Sequence, residues 1–111
     1  MKRLFISQPM SDKTDEEIQA ERDCIIADMK QLYGDIEAID SFFKDAPHDA
    51  KPLWFLGKSL ELLSTADIVY FAFGWDKYRG CCMEHEAAVK YNIGIIHHFN
   101  DFAGTKPAED I

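Results

Sequence analysis

The 111-residue chain is 47% hydrophobic and 13% aromatic, which is enough to fill one compact domain over residues 1–111 and leaves no room for a second core. With 20 acidic against 12 basic residues the net charge is −8. That balance disfavours a nucleic-acid polymer as partner, because phosphate contacts dominate such binding, but it does not exclude one small phosphorylated ligand held by a helix N-terminus. No apolar run approaches the roughly 20 residues that span a bilayer. The apolar part of the opening MKRLFISQPM is too short for a secretory segment, so a cytoplasmic protein without a membrane partner is expected.

In chain order, RLFIS (residues 3–7) is a short apolar run that predicts a first strand, and QPMSDK with Pro9 is a turn-rich loop. Thr14 and Glu17 have the spacing of a capping box. Ile18, Ile25, Ile26, Met29 and Leu32 recur at helical intervals, so a helix is predicted up to the stop at Gly34. DIEAID (residues 35–40) reads as a second strand. SFFKDAPHDAKP is irregular, and its His48 and Asp49 either contact a ligand or cap the helix that Pro52 opens. DIVYFAF (residues 67–73) is the strongest strand, apolar enough to be buried on both faces. From about Gly80 to Tyr91 a third helix is expected, with Met83, Ala87, Ala88 and Tyr91 on one side, and IGIIHHF is a last strand. The tail from about residue 100 has little to hold it and is expected to be flexible, or ordered only by a partner subunit.

Strands that alternate with helices predict parallel pairing with helices on both faces. The fold class is therefore α/β, a single-domain Rossmann/flavodoxin-like three-layer sandwich whose mainly parallel sheet has four to five strands. Ligands of such sheets sit at the carboxyl ends of the strands. Three loops meet there, residues 8–13, 41–51 and 74–80.

The chemistry-bearing residues concentrate in GWDKYRGCCMEHEAAV, residues 74–89. A zinc-protease helix needs a second histidine where Val89 stands, so that pattern fails. Cys81 and Cys82 are adjacent and lack the spacing of a zinc or redox pair, and His97 and His98 point to opposite faces of a strand. No metal and no cofactor are expected. Three cysteines, with Cys24, imply reduced thiols and no disulfide framework. What remains is Glu84, in the first turns of a helix that starts at the carboxyl edge, where its side chain enters the pocket; a first-turn acid that merely complements the helix dipole is the plainer alternative. Asp76 lies in the adjacent loop and is placed to share that pocket. Asp67 begins the central strand, and a strand of seven residues, roughly 20 Å long, puts it at the far end.

LFISQPM, STADIVYFAFGW and RGCCMEHEAA, in that order on this α/β pattern, resemble the nucleoside 2-deoxyribosyltransferase-like superfamily, and within it a small bacterial and phage branch. The resemblance runs from Leu4 to about Phe99. It implies that Glu84, which falls with Gly80 on the family's G-x-x-x-E pattern, attacks the anomeric carbon of a nucleoside or nucleotide and forms a glycosyl ester. It also implies that Asp67 contacts the base or sugar, and that Ser7, Gln8, Pro9 and Met10 hold the sugar or a 5′-phosphate. Family members commonly form homodimers or larger homo-oligomers that complete each other's pockets, so a homo-oligomer is implied here too.

The chemistry stands on general grounds. An N-glycosidic bond breaks through an oxocarbenium-like transition state that a carboxylate stabilises and captures. The departing base needs a proton, from Asp76, Asp67 or a water. Backbone N–H groups around Gly80–Cys82 open a helix and suit a phosphate, Arg79 adds charge-assisted hydrogen bonds, and Trp75 and Tyr78 line the mouth, with Cys81 beside them. The expected function is thus an N-glycosidase or (deoxy)ribosyltransferase acting on a nucleoside or its 5′-monophosphate. The alternatives are a nucleotide-binding module without turnover, and a structural domain whose aromatics Trp54, Phe55 and Trp75 serve a protein partner.

Overall fold

The computed structural model describes residues 1–43 and 46–98; the expectation for the tail from about residue 100 lies outside the described residues. In chain order the elements are β1 (Lys2–Ser7), α1 (Asp15–Tyr33), β2 (Ile36–Ala38), α2 (Pro52–Leu63), β3 (Ile68–Phe71), a 3-10 turn (Trp75–Lys77), α3 (Arg79–Lys90) and β4 (Gly94–His97). All strands pair in parallel, in the order β2-β1-β3-β4. This is a Rossmann/flavodoxin-like α/β fold, with four strands among the described residues.

Alternation along the strands divides the core. Leu4, Ile6, Ile68 and Tyr70 face α1 and pack on Ile25 and Met29, whereas Phe5, Val69 and Phe71 face the other way onto Leu63 of α2 and Ala88 of α3. Every residue of β3 is buried, as expected of a central parallel strand flanked on both faces. Burying each such Leu, Ile or Phe contributes about 1.5–3 kcal/mol.

α1 begins at Thr14, whose hydroxyl accepts from the Glu17 N–H while the Glu17 carboxylate accepts from the Thr14 N–H. It ends at Gly34, whose φ of 76° suits glycine. Its buried stripe is Ile18, Arg22, Ile25 and Met29, and Leu32, expected inward, is exposed. α3 also departs from expectation. Its buried face is Cys81, Glu84 and Ala88, while Met83 and Tyr91 are exposed. The inward face there borders a cleft rather than a dry core, so a carboxylate occupies a position that hydrophobicity alone assigns to its apolar neighbours.

β3 is shorter than the run of residues 67–73 suggested. Gly74, at φ 83°, turns the chain and the 3-10 turn follows. Because β1 lies between β2 and β3, the chain winds outward one way through α1 and the other way through α3. The switch point falls at the carboxyl ends of β1 and β3, where such sheets open a crevice.

Candidate functional site

At that switch point lies a cleft of about 1100 Å³, of the size that encloses a small organic ligand. All three loops expected there contribute. The loop after β1 supplies Gln8, Pro9, Met10 and Lys13; the loop after β2 supplies Ser41, Phe42, Phe43 and Lys51; the third supplies Lys77 and Tyr78 and runs into Arg79, Gly80 and Cys81. α2 adds Pro52, Phe55, Leu56 and Ser59, the i, i+3, i+4, i+7 stripe of a helix. Among the described residues the charged lining is Lys13, Lys51, Lys77 and Arg79 against Asp15 and Glu84, a mainly basic rim in an acidic chain.

Glu84 is the buried carboxylate of this cleft, only 8% exposed. Ser7, the last residue of β1, donates its hydroxyl to Glu84 Oε1 at 2.5 Å, a length typical of a hydroxyl on an ionised carboxylate. Burial is the larger influence and raises the Glu84 pKa above its ordinary value; hydrogen bonds from Ser7 and Ser59 oppose the shift by favouring the charged form. Two elements, β1 and α2, thus bring hydroxyls toward the carboxyl that α3 carries. Cys81, one turn earlier, is buried, and that burial pushes its thiol up to about 11, with Ser7 only partly offsetting it. It is a neutral thiol at physiological pH, not a nucleophile.

Gln8 is in the lining, yet its amide is engaged with the protein. Nε2 donates to Glu21 Oε1 at 2.7 Å and to the Ile18 carbonyl at 3.4 Å, and Oε1 accepts from Arg22 Nη1 at 3.1 Å. Arg22 also donates to the Ile39 carbonyl at 3.1 Å and is itself 4% exposed. Burial lowers its pKa, against the pull of Asp40 and Asp23. The guanidinium thereby joins α1, the loop after β1 and the end of β2, fixing two walls of the cleft relative to each other.

Of the residues singled out from sequence, Ser7, Gln8, Pro9, Met10, Tyr78, Arg79, Gly80, Cys81 and Glu84 line the cleft. Asp67, Asp76 and Trp75 do not. Asp67 stands at the amino edge of the sheet, where its carboxylate accepts from the Arg3 N–H at 2.8 Å. Level with Arg3, it is four residues and roughly 13 Å along the strands from Ser7. Asp76 is exposed in the 3-10 turn, with its carbonyl accepting from the Cys82 thiol. Trp75 stacks on His85 at 4.3 Å and meets Phe71 at 5.2 Å between ring centroids, outside the cleft lining. Gly80 sits inside α3, and a Cβ there would meet nothing within 4 Å, so its contribution is room rather than an unusual backbone.

Ser41, Ser59, Asp15, Lys13, Lys51 and Lys77 were not singled out. Ser59 had a signal, a hydroxyl closing the otherwise apolar stripe of Pro52, Phe55 and Leu56 on α2. Neither His48 nor Asp49 caps α2, whose N-cap is Lys51 without a side-chain bond; Asp49 lines a separate depression with Trp54.

His97 and His98 do point to opposite faces. His97 Nε2 lies 3.0 Å from His85 Nε2, and His98 Nδ1 lies 2.8 Å from the Tyr70 hydroxyl. Burial, then His85, lowers the His97 pKa. No group of three or more potential metal-ligating residues lies together among the described residues, and no helix of the described residues is long and apolar enough to cross a membrane. No family model, curated protein or solved structure matches the chain.

Proposed function

We propose that the chain cleaves the N-glycosidic bond of a nucleoside or nucleoside 5′-monophosphate, as a hydrolase or a (deoxy)ribosyltransferase, with Glu84 as nucleophile. The observation that carries this is the buried Glu84 carboxyl, held by the Ser7 hydroxyl at the switch point of a parallel sheet. The resemblance to the nucleoside 2-deoxyribosyltransferase-like superfamily supports the same assignment. In the first step a Glu84 oxygen bonds to C1′ as the C1′–N bond breaks, and the bonding pair leaves with the base. Neither Asp67 nor Asp76 reaches the cleft, so a water or Asp15, the other carboxylate among the described lining residues, supplies the proton that the base takes up. Water or a second base then attacks C1′ and frees the Glu84 carboxylate. A phosphate on the sugar is served by Arg79, Lys77 and the first turn of α3, which has no side-chain cap.

The chain also acts as a homo-oligomer in this proposal. α2 buries only Leu63 and leaves Leu53 and Leu60, i and i+7 on one side of the helix, exposed, an apolar surface suited to a second copy. A nucleotide-binding module without turnover is the second reading; the absence of a second buried carboxylate beside Glu84 among the described residues favours it. The test is chromatographic detection of free base from a panel of deoxynucleosides, ribonucleosides and their 5′-monophosphates, with and without an acceptor base. Release by the wild type and none by Glu84→Gln is expected. Binding without release by either protein leaves the second reading.

A further inference from the structure

The loop after β2 opens on Ser41, which lines the cleft and is 4% exposed, and whose hydroxyl has no hydrogen-bond partner among the described residues. Buried hydroxyls are almost always paired, and an unpaired one in a residue that lines a cleft, a small side-chain rotation from it, is a candidate partner for a polar atom of a ligand. Beside it stand Phe42 and Phe43 of the same loop and Phe55 of α2, with the Phe43 and Phe55 ring centroids 6.4 Å apart. The opposite end of the cleft is of different chemistry. There lie Lys77, Arg79 and the uncapped first turn of α3. The strand order puts Ser7, and hence Glu84, between the two ends. β2 is one strand from β1 and two from β3, and strands lie about 4.8 Å apart.

We infer that the β2–α2 wall is the seat of the nucleobase, with Phe42, Phe43 and Phe55 against its faces and edges and the Ser41 hydroxyl hydrogen-bonded to a polar atom of its rim. This rests on the glycosidic reading above. Flat aromatic bases gain by contact with aromatic side chains whatever their sequence identity. A hydroxyl that both donates and accepts serves a purine or a pyrimidine edge alike. The wall therefore selects for the presence of a base and orients the glycosidic bond over Glu84, with any phosphate directed to the Arg79 end.

The test measures dissociation constants of 2′-deoxyadenosine 5′-monophosphate, thymidine 5′-monophosphate and 2-deoxyribose 5-phosphate, using full-length Glu84→Gln to prevent turnover. Adding Ser41→Ala is expected to weaken both nucleotides roughly three- to tenfold, to leave the base-free sugar phosphate unchanged, and to be rescued by Ser41→Thr. Because it removes an unpaired group, Ser41→Ala should melt no lower than its parent in the absence of ligand. Equal weakening of nucleotides and sugar phosphate would place Ser41 at the phosphate and overturn the assignment, as would unchanged binding of all three. Failure of the parent chain to bind any of the three overturns the glycosidic reading itself, and the wall assignment with it.

Discussion

At the scale of single residues, Glu84 links stability to pH in a direction that can be checked. Its pKa is raised in the folded chain, so the folded state holds a proton more readily than the unfolded one. The stability this confers is fully present below the ordinary glutamate value and is lost as pH rises through the folded pKa. Glu84→Gln, an isostere of the neutral acid, should therefore melt higher than the wild type at pH 8, with the gap closing as pH falls toward 5. A gap that stays constant with pH contradicts the burial argument. A nucleophile must be ionised, so base release should have an acid limb above the ordinary range of about 4.3 for glutamate. Arg22 makes the complementary case. Arg22→Met leaves Gln8 Oε1 and the Ile39 carbonyl without their donor and should cost roughly 2–3 kcal/mol in denaturant unfolding. A loss below about 0.5 kcal/mol, the usual size of a surface substitution, would show that the walls are joined by other means. The sequence did carry a sign of Arg22. The apolar repeat of α1 runs 18, 25, 29, and the missing step at 22 is the position the arginine fills.

At the scale of elements, the helices and strands were legible because capping and periodicity report local physics. The Thr14–Glu17 box and the Gly34 stop stand where the residues placed them, and the buried run of β3 holds over residues 68–72 but not at the exposed Asp67 and Phe73. The inward faces of α1 and α3 were less legible. Both sides of the cleft use buried polar groups, Arg22 and Glu84, whose burial is compensated by partners from distant elements: Ser7 reaches Glu84 across 77 residues, and no local pattern encodes that pairing. α2 raises the opposite problem, with apolar residues in excess of what the described chain covers. Leu53→Lys together with Leu60→Lys should convert an oligomer to a monomer in size-exclusion chromatography with light scattering, without lowering the melting temperature by more than a few degrees. A wild-type chain that is monomeric at hundred-micromolar concentration contradicts the proposed use of this face.

At the scale of the whole molecule, the winding of the sheet explains why the site is where it is. Strand order β2-β1-β3-β4 opens a crevice beside Ser7, and the loops that follow β1, β2 and β3 contribute an internally braced floor, an aromatic wall and a basic helix start. Topology was recoverable from the alternation of elements, and with it the edge of the sheet that carries the cleft. Which acids reach that edge was not, because it depends on register. Asp67 pairs level with Arg3 at the amino end, whereas Glu84 approaches from a helix that starts at the carboxyl end. The central claim is that Glu84 becomes bonded to the sugar, and intact-protein mass spectrometry tests it directly. The chain is incubated with nucleoside 5′-monophosphates bearing fluorine at C2′, which slows breakdown of a glycosyl ester by destabilising the oxocarbenium-like transition state. The expected result is a mass increase equal to the fluorinated nucleotide less its free base, located by digestion on the peptide containing Glu84 and absent in Glu84→Gln. Base release without any adduct, or an adduct that persists in Glu84→Gln, contradicts it.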